Sequence, residues 1–193
     1  MREPFGLILA GDRGTRVGNV SKADLTLGHL TLLAHVQARL EPQVAAIVVN
    51  ANGPIVTDLP VIADATPDHL GPLAGVLAGL DWAARQGGTH IVTVAVDTPF
   101  FPCDIAPRLL MAGEAHRDGF AVASTSDGLH CAFGLWPTAL RDDLAAFLDK
   151  GQREVRAFVH AHDAAIATFP DTTPPSFFNV NTPEDLTAAA RWL

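Results

Sequence analysis

Basic residues are scarce in this chain. Lys and Arg number 13 against 21 Asp and Glu, a formal net charge of −8 over 193 residues. That balance excludes a general nucleic-acid binder, because the phosphate backbone demands clustered Lys and Arg. Cysteine is nearly absent too. Cys103 and Cys131 make no disulfide framework, and no CxxC or Cys/His cluster announces zinc. Long apolar runs are missing: none approaches the roughly 20 residues of a membrane span. The opening MREPFGLILAGD lacks the apolar stretch and small-residue cleavage site of a secretory leader. There is no internal repeat, low-complexity tract or linker, and FPDTTPPSFFN (169–179) reads as a surface loop. The expectation is a cytoplasmic protein with free thiols, in contact with neither membrane nor nucleic acid. One domain is expected over residues 1–193.

What the chain does hold is apolar material for a core: 48% of its residues are hydrophobic. Val- and Ile-rich runs at 5–10, 44–51, 59–64, 90–97, 119–124, 130–136 and 164–170 read as strands. Helical periodicity covers 30–40, 72–87, 104–115, 137–151, 154–162 and 181–193. Gly87 and Gly88 stop the second helix and Gly151 the fourth; Asp104 is placed to cap the third. Thr182, Pro183 and Asp185 have the order of a capping box with proline at the first helical position. Nearly all-apolar strands alternating with helices predict an α/β fold, a mostly parallel sheet with helices on both faces. Ligands in such folds bind beyond the carboxyl ends of the strands.

Four polar constellations fall at those ends. The first is LILAGDRGTRVGNVSK (7–22), a strand running into Gly11, Gly14 and Gly18 with Arg13, Arg16 and Lys22 among them. Glycines let backbone N–H groups approach phosphate oxygens, and Arg16 and Lys22 add charge-assisted contacts to a polyphosphate. The spacing matches neither GxGxxG nor GxxxxGK[ST], so an ordinary βα loop fits the local pattern as well. The second is Asp97 in VTVAVDTPF, a carboxylate at a strand end. One carboxylate with phosphate oxygens is a usual way to hold Mg²⁺; the plainer reading is a cap on the turn at Thr98 and Pro99. The third is Asn50 and Asn52 in VVNAN together with Asp64, suited to base or ribose hydrogen bonding and equally to turns. The fourth is FFNVNTPEDL, where Asn179 and Asn181 alternate before the last helix, whose N–H groups attract anions. His130, His160 and His162 form no recognisable metal set, and the last two read as solvent-facing.

Taken together, the pieces LILAG…R.G…K (7–22), VVNAN (48–52), D…GPLAGVLAGL (64–80), VDTPF (96–100), HCAFGLWP (130–137) and FFNVNTPEDL (177–186) resemble the molybdenum cofactor guanylyltransferases over nearly the whole chain. GPLAG and NVNTPEDL are fairly specific to that group. The resemblance implies a Rossmann-like nucleotidyltransferase fold and transfer of GMP from GTP to molybdenum-molybdopterin, with release of pyrophosphate and Mg²⁺ as cofactor. It implies that Leu9, Ala10 and Gly11 border guanine and phosphates, and that Lys22 contacts the phosphates. On the same resemblance Asn50 and Asp64 would hold the nucleoside, Asp97 would ligate Mg²⁺, and Asn179 and Asn181 would lie on the pterin side. Lys22, Asp97 and Arg16 are the expected catalytic set. The resemblance implies that the N-terminal half serves GTP and metal and the C-terminal half molybdopterin. Partners on the same resemblance include cofactor biosynthesis proteins and acceptor molybdoenzymes.

The chain departs from the family loop LAGG…RMGG.DK. Asp12 replaces the second glycine, Val17 the methionine, Asn19 a glycine and Ser21 the acidic residue before Lys22. AVDTP stands for PCDTP, and Cys131 follows His130 where proline is usual. Asp12 puts a Cβ and a negative charge where backbone approaches phosphate. At ~4 Å and an effective dielectric near 20, one such contact costs about 4 kcal/mol. Two other readings stay open from the residues: a cytidylyl or sugar-phosphate nucleotidyltransferase of the same fold, and a catalytically weak homologue binding nucleotide, pterin or a partner protein.

Overall fold

The computed structural model describes residues 3–11, 21–64, 71–116 and 118–193. In chain order the elements are β1 (Phe5–Leu9), β2 (Thr26–Leu27), β3 (Leu30–Thr31), α1 (Leu32–Leu40), β4 (Ile47–Asn50), β5 (Val61–Ile62), α2 (Pro72–Arg85), β6 (His90–Ala95), α3 (Ile105–Glu114), β7 (Ala121–Thr125), β8 (Gly128–Pro137), α4 (Arg141–Asp149), α5 (Val155–Ala161), β9 (Ala165–Thr168) and α6 (Pro183–Ala189).

Seven strands form one sheet in the order β5-β4-β1-β6-β8-β7-β9. All pairings are parallel except the two made by β8, which opposes β6 and β7. The mostly parallel sheet is thus as expected. The reversal of β8 follows from a tight connection, Ser126–Asp127, closed by Gly128 at φ +120°. Each strand divides its side chains between two cores, as a two-residue period requires. Ile8, Val49, Val92, Val94 and Leu135 pack under α1 and α3. Leu7, Val48, Ile91, Val122 and Trp136 pack under α2, α4 and α5. A third cluster of Leu27, Leu32, Phe100, Val180 and Ala189 joins the small β2–β3 hairpin to α6.

Element ends follow local chemistry. The helix expected at 30–40 begins at Leu32, because Leu30 and Thr31 pair with the preceding strand and the Thr31 hydroxyl caps the Ala34 N–H at 3.1 Å. Gly87, at φ +74°, and Gly88 close α2 through N–H bonds back to Ala84 and Ala83. Gly151 stops α4 at φ +79°. The capping box of Thr182 and Asp185 is formed. Asp104 occupies the cap position of α3, but its carboxylate makes no cap bond and pairs with Arg108 at 2.9 Å. His160 is exposed as expected, whereas His162 lies partly buried against Phe158. Among the described residues no helix is long and apolar enough to cross a membrane.

The deepest polar group in the sheet explains how a fully buried Trp is tolerated. Thr93 Oγ1, with no exposure, accepts from Trp136 Nε1 at 3.0 Å and from the Gly134 N–H at 3.1 Å. Thr93→Val keeps shape and strands both donors. A loss of about 1–3 kcal/mol per unsatisfied group lowers the thermal midpoint by several degrees, while Thr93→Ser retains most of it. Calorimetric unfolding of the two variants measures the difference.

Candidate active site

The carboxyl ends of β1, β4, β5 and β6 open on a cleft of about 730 Å³. Its lining divides by strand. Asn50, Asn52 and Asp64 come from β4 and β5 at one end, Leu9 and Gly11 from β1, and Asp97 from β6. His130, Ala132 and Phe133 come from β8 at the other end, joined by Phe177 and Asn179. From β4 to β8 is three inter-strand steps, roughly 14 Å.

Lys22 forms the floor. It opens a short 3₁₀ turn, Lys22–Asp24, and is only 5% exposed. Its Nζ donates to Asp97 Oδ2 at 2.9 Å and to Asn181 Oδ1 at 2.7 Å. A buried ammonium must be paired, so three segments far apart in sequence are tied at one point. The Val180 N–H bonds the Asp97 carbonyl at 2.7 Å and fixes the 177–181 segment to the end of β6. The fully buried Thr98 hydroxyl bonds Asn179 Oδ1. Asp185 Oδ2 accepts from the N–H groups of Asn181 and Thr182, each at 2.9 Å. The Asn181 N–H above all holds its carboxyl below the usual aspartate range.

The polar end is a closed amide–carboxylate set. Asn50 Nδ2 donates to Asp64 Oδ1 at 2.9 Å, and Asn52 Nδ2 to Asp64 Oδ2 at 2.7 Å. The Asp64 N–H returns a bond to Asn52 Oδ1 at 2.9 Å. Asn50 is 3% exposed and fits only because α2 presents glycine to it: a Cβ on Gly75 would overlap Asn50 Oδ1 and lie 2.8 Å from its Cγ. The Ala10 N–H donates to the Asn50 carbonyl at 2.9 Å, keeping β1 and β4 together to the cleft edge.

The other end is aromatic. His130 stacks on Phe177, ring centres 4.1 Å apart and planes 16° from parallel. Thr125 Oγ1 lies 2.7 Å from His130 Nε2. Burial lowers the His130 pKa, against a smaller opposite pull from Asp127, which favours the neutral ring.

Of the expected residues, Leu9, Gly11, Lys22, Asn50, Asp64, Asp97 and Asn179 line one cleft. Ala10 is packed beneath it at 9% exposure. Asn181 is turned to the Lys22 ammonium and Asn179 to the neighbouring Thr98 hydroxyl. Arg16 lies outside the described residues, as do Asp12, Arg13, Gly14, Val17, Gly18 and Asn19. Sequence reasoning missed Thr98, Gly75, His130, Phe133 and Phe177. Their signal was present in GPLAG, VDTPF, HCAFGLWP and FFNVN, whose spacing alone says nothing of who stacks on whom.

Residues 6–166 match the family model described as the MobA-like NTP transferase domain. A molybdenum cofactor guanylyltransferase of Cereibacter sphaeroides is 49% identical over 189 residues, covering 96% of this chain and 94% of the relative. Among solved structures, molybdopterin-guanine dinucleotide biosynthesis protein A from Archaeoglobus fulgidus superposes with TM-score 0.72 over 97% of both chains, at 22% identity. A Mycobacterium tuberculosis protein solved as a complex with manganese does so with TM-score 0.69 over 98% of both chains, at 18% identity. The two structures share the fold. The family model and the extent of the curated match carry more: the chain belongs to the molybdenum cofactor guanylyltransferases, a family of nucleotidyltransferases.

Proposed function

We propose that the chain transfers GMP from GTP to the terminal phosphate of molybdenum-molybdopterin, giving molybdopterin guanine dinucleotide cofactor and pyrophosphate. The observation that supports this best is the Lys22–Asp97–Asn181 junction at the floor of the cleft. It sets one cation and one carboxylate between a hydrogen-bonding end and an aromatic end.

The chemistry is an in-line displacement. An acceptor phosphate oxygen bonds the α-phosphorus of GTP, the bond from that phosphorus to the α–β bridging oxygen breaks, and pyrophosphate leaves with the electron pair. A phosphate whose second pKa is near 6 is largely ionised at neutral pH. The nucleophile therefore needs no general base, and catalysis rests on positioning and charge neutralisation. Lys22 faces the phosphates. Asn50 and Asp64 offer the nucleoside a pre-ordered donor and acceptor edge, with Leu9, Ala10 and Gly11 beside it. His130, Phe133 and Phe177 wall the acceptor half, with Asn179 and Asn181 at its boundary. Arg16 adds charge from the opening loop. Residues 1–193 act as one nucleotidyltransferase domain, the N-terminal half toward GTP and the C-terminal half toward molybdopterin.

Asp97 holds Mg²⁺ in this reading. The donor set fits a hard cation: one carboxylate, with no group of three His, Cys, Asp or Glu able to hold a metal among the described residues. Such an ion completes its shell with waters and substrate phosphates. The manganese-bound fold relative supports a divalent ion. Bound there, it supplies charge neutralisation to the triphosphate.

A transfer assay with GTP, Mg²⁺ and molybdenum-molybdopterin tests the proposal, pyrophosphate release being the readout. Absence of product, or equal use of CTP, contradicts it. Asp97→Asn is expected to lower turnover by at least about a hundredfold, the scale of losing one electrostatic stabiliser. Lys22→Ala is expected to weaken binding of the metal–GTP complex by about tenfold or more. Because Lys22 is buried and screened little, that loss persists at high salt; equilibrium titrations at two ionic strengths measure it. Gly75→Ala displaces Asn50 from Asp64 and raises KM for GTP by about tenfold with kcat less changed, at a stability cost of about 1–3 kcal/mol for overpacking. Steady-state kinetics and thermal unfolding of that variant check both parts.

A further inference from the structure

Asn179 is an exposed residue that lines the cleft together with Asp97 and Phe177. Its surroundings in the chain are held. The Val180 N–H bonds the Asp97 carbonyl at 2.7 Å, and Phe177 stacks on His130. An exposed amide so placed can turn either end to a ligand, since its oxygen accepts and its nitrogen donates in nearly the same shape.

Thr98 removes that freedom. It is fully buried, and its hydroxyl donates to Asn179 Oδ1. The same hydroxyl lies 3.3 Å from Asp97 Oδ1. A hydroxyl has one proton, and that second separation is beyond the roughly 2.5–3.0 Å of an O–H···O bond, so the proton goes to Asn179. A β-branched residue suits the task, because two heavy atoms on Cβ restrict χ1 and keep the hydroxyl aimed. The consequence is polarity. With Oδ1 held by a buried group, Nδ2 is the end left toward the cleft, and it has no hydrogen-bond partner among the described residues. An amide anchored this way is a committed donor, and its two N–H bonds suit the oxygens of an anion.

We propose that Thr98 is a positioning residue for the acceptor: it turns the Asn179 amide nitrogen to the acceptor's terminal phosphate, a role that rests on the transfer reaction proposed above. The chain of action runs from the Thr98 hydroxyl through the Asn179 amide to the phosphate. Thr98 itself, being fully buried, touches no substrate.

Steady-state transfer by the full chain tests this, with molybdenum-molybdopterin varied at saturating GTP and then the reverse. Thr98→Val keeps the shape and loses the hydroxyl. It is expected to raise KM for the acceptor about threefold to tenfold, the scale of immobilising one side chain on binding, with a smaller change in KM for GTP. Thr98→Ser restores most of the loss. Asn179→Asp still accepts the Thr98 bond, so any purely architectural part of that bond is kept, but a carboxylate oxygen stands where the nitrogen did. Its acceptor KM is expected to rise at least about tenfold at low salt and by less at high salt, as repulsion between exposed charges is screened. A mutant cycle separates a route through Asn179 from one through Asp97: in an Asn179→Ala background, Thr98→Val adds no further rise in acceptor KM. If Thr98→Val does not fold, Thr98→Cys, whose thiol is a weak donor, takes its place in the cycle. Wild type that transfers GMP, with acceptor KM unchanged in Thr98→Val or with the full effect of Thr98→Val persisting in the Asn179→Ala background, overturns the positioning role and leaves the reaction standing. A rise in KM for GTP in place of the acceptor does the same. Wild type that transfers no GMP overturns both.

Discussion

An ammonium buried at 5% exposure is the constraint around which this cleft is arranged. Lys22 follows the opening loop, Asp97 ends β6, and Asn181 precedes α6. Nothing local brings them together. The cost of a buried charge without partners does, and the fold meets it with apolar packing on the outer side. Phe100, three residues past Asp97, and Phe178, three before Asn181, both meet Trp192 edge-on, at 5.6 and 5.0 Å between ring centres. Leu27 and Leu32, from the hairpin after Lys22 and the start of α1, complete that cluster. The third core is thus the dry backing of the Lys22–Asp97–Asn181 junction.

The direction of β8 settles what kind of wall the far end of the cleft has. An antiparallel strand brings its start, and not its end, to the edge where the parallel strands finish. His130 stands there, while Trp136 is carried to the opposite edge and buried beside Thr93. The break in register between Val122 and Ala123 shifts the β8 partner from Gly134 to His130. That places His130 beside Thr125 and under Phe177. A parallel strand of the same sequence would have shown the cleft Trp136 and Pro137.

Much of this was legible in the sequence, for a physical reason. A buried strand must be apolar, so a polar residue at its carboxyl end stands out, and Asn50, Asp64 and Asp97 all did. Capping chemistry is equally local, and the Thr182–Asp185 box formed as its order implied. What stayed hidden depends on distant partners. A lysine in a glycine-rich stretch reads as a surface charge; Asp97 and Asn181, far along the chain, show it to be buried. Gly75 reads as one helix glycine among several until Asn50 is found in the space it leaves. The β2–β3 hairpin has strands of two residues each, too short to show any period. His130 looked idle beside histidines that read as solvent-facing, because its partner Phe177 belongs to a loop with no helical or strand period.

Local capping and the long-range site meet in Asp185. One carboxylate oxygen closes the first turn of α6 through the Thr182 N–H and also holds the Asn181 N–H, both at 2.9 Å. Helix capping thereby fixes the backbone of the residue that orients Lys22. The folded chain holds the Asp185 carboxyl below its usual pKa, chiefly through the Asn181 N–H. A carboxylate with a lowered folded pKa stabilises fully above its unfolded value and loses that contribution as pH falls through the folded one. The clamp on Asn181 is therefore complete at neutral pH and opens only in acid below the ordinary aspartate range. Anchoring the junction to a cap that stays ionised at neutral pH keeps the Lys22 site poised where an acceptor phosphate is ionised enough to attack.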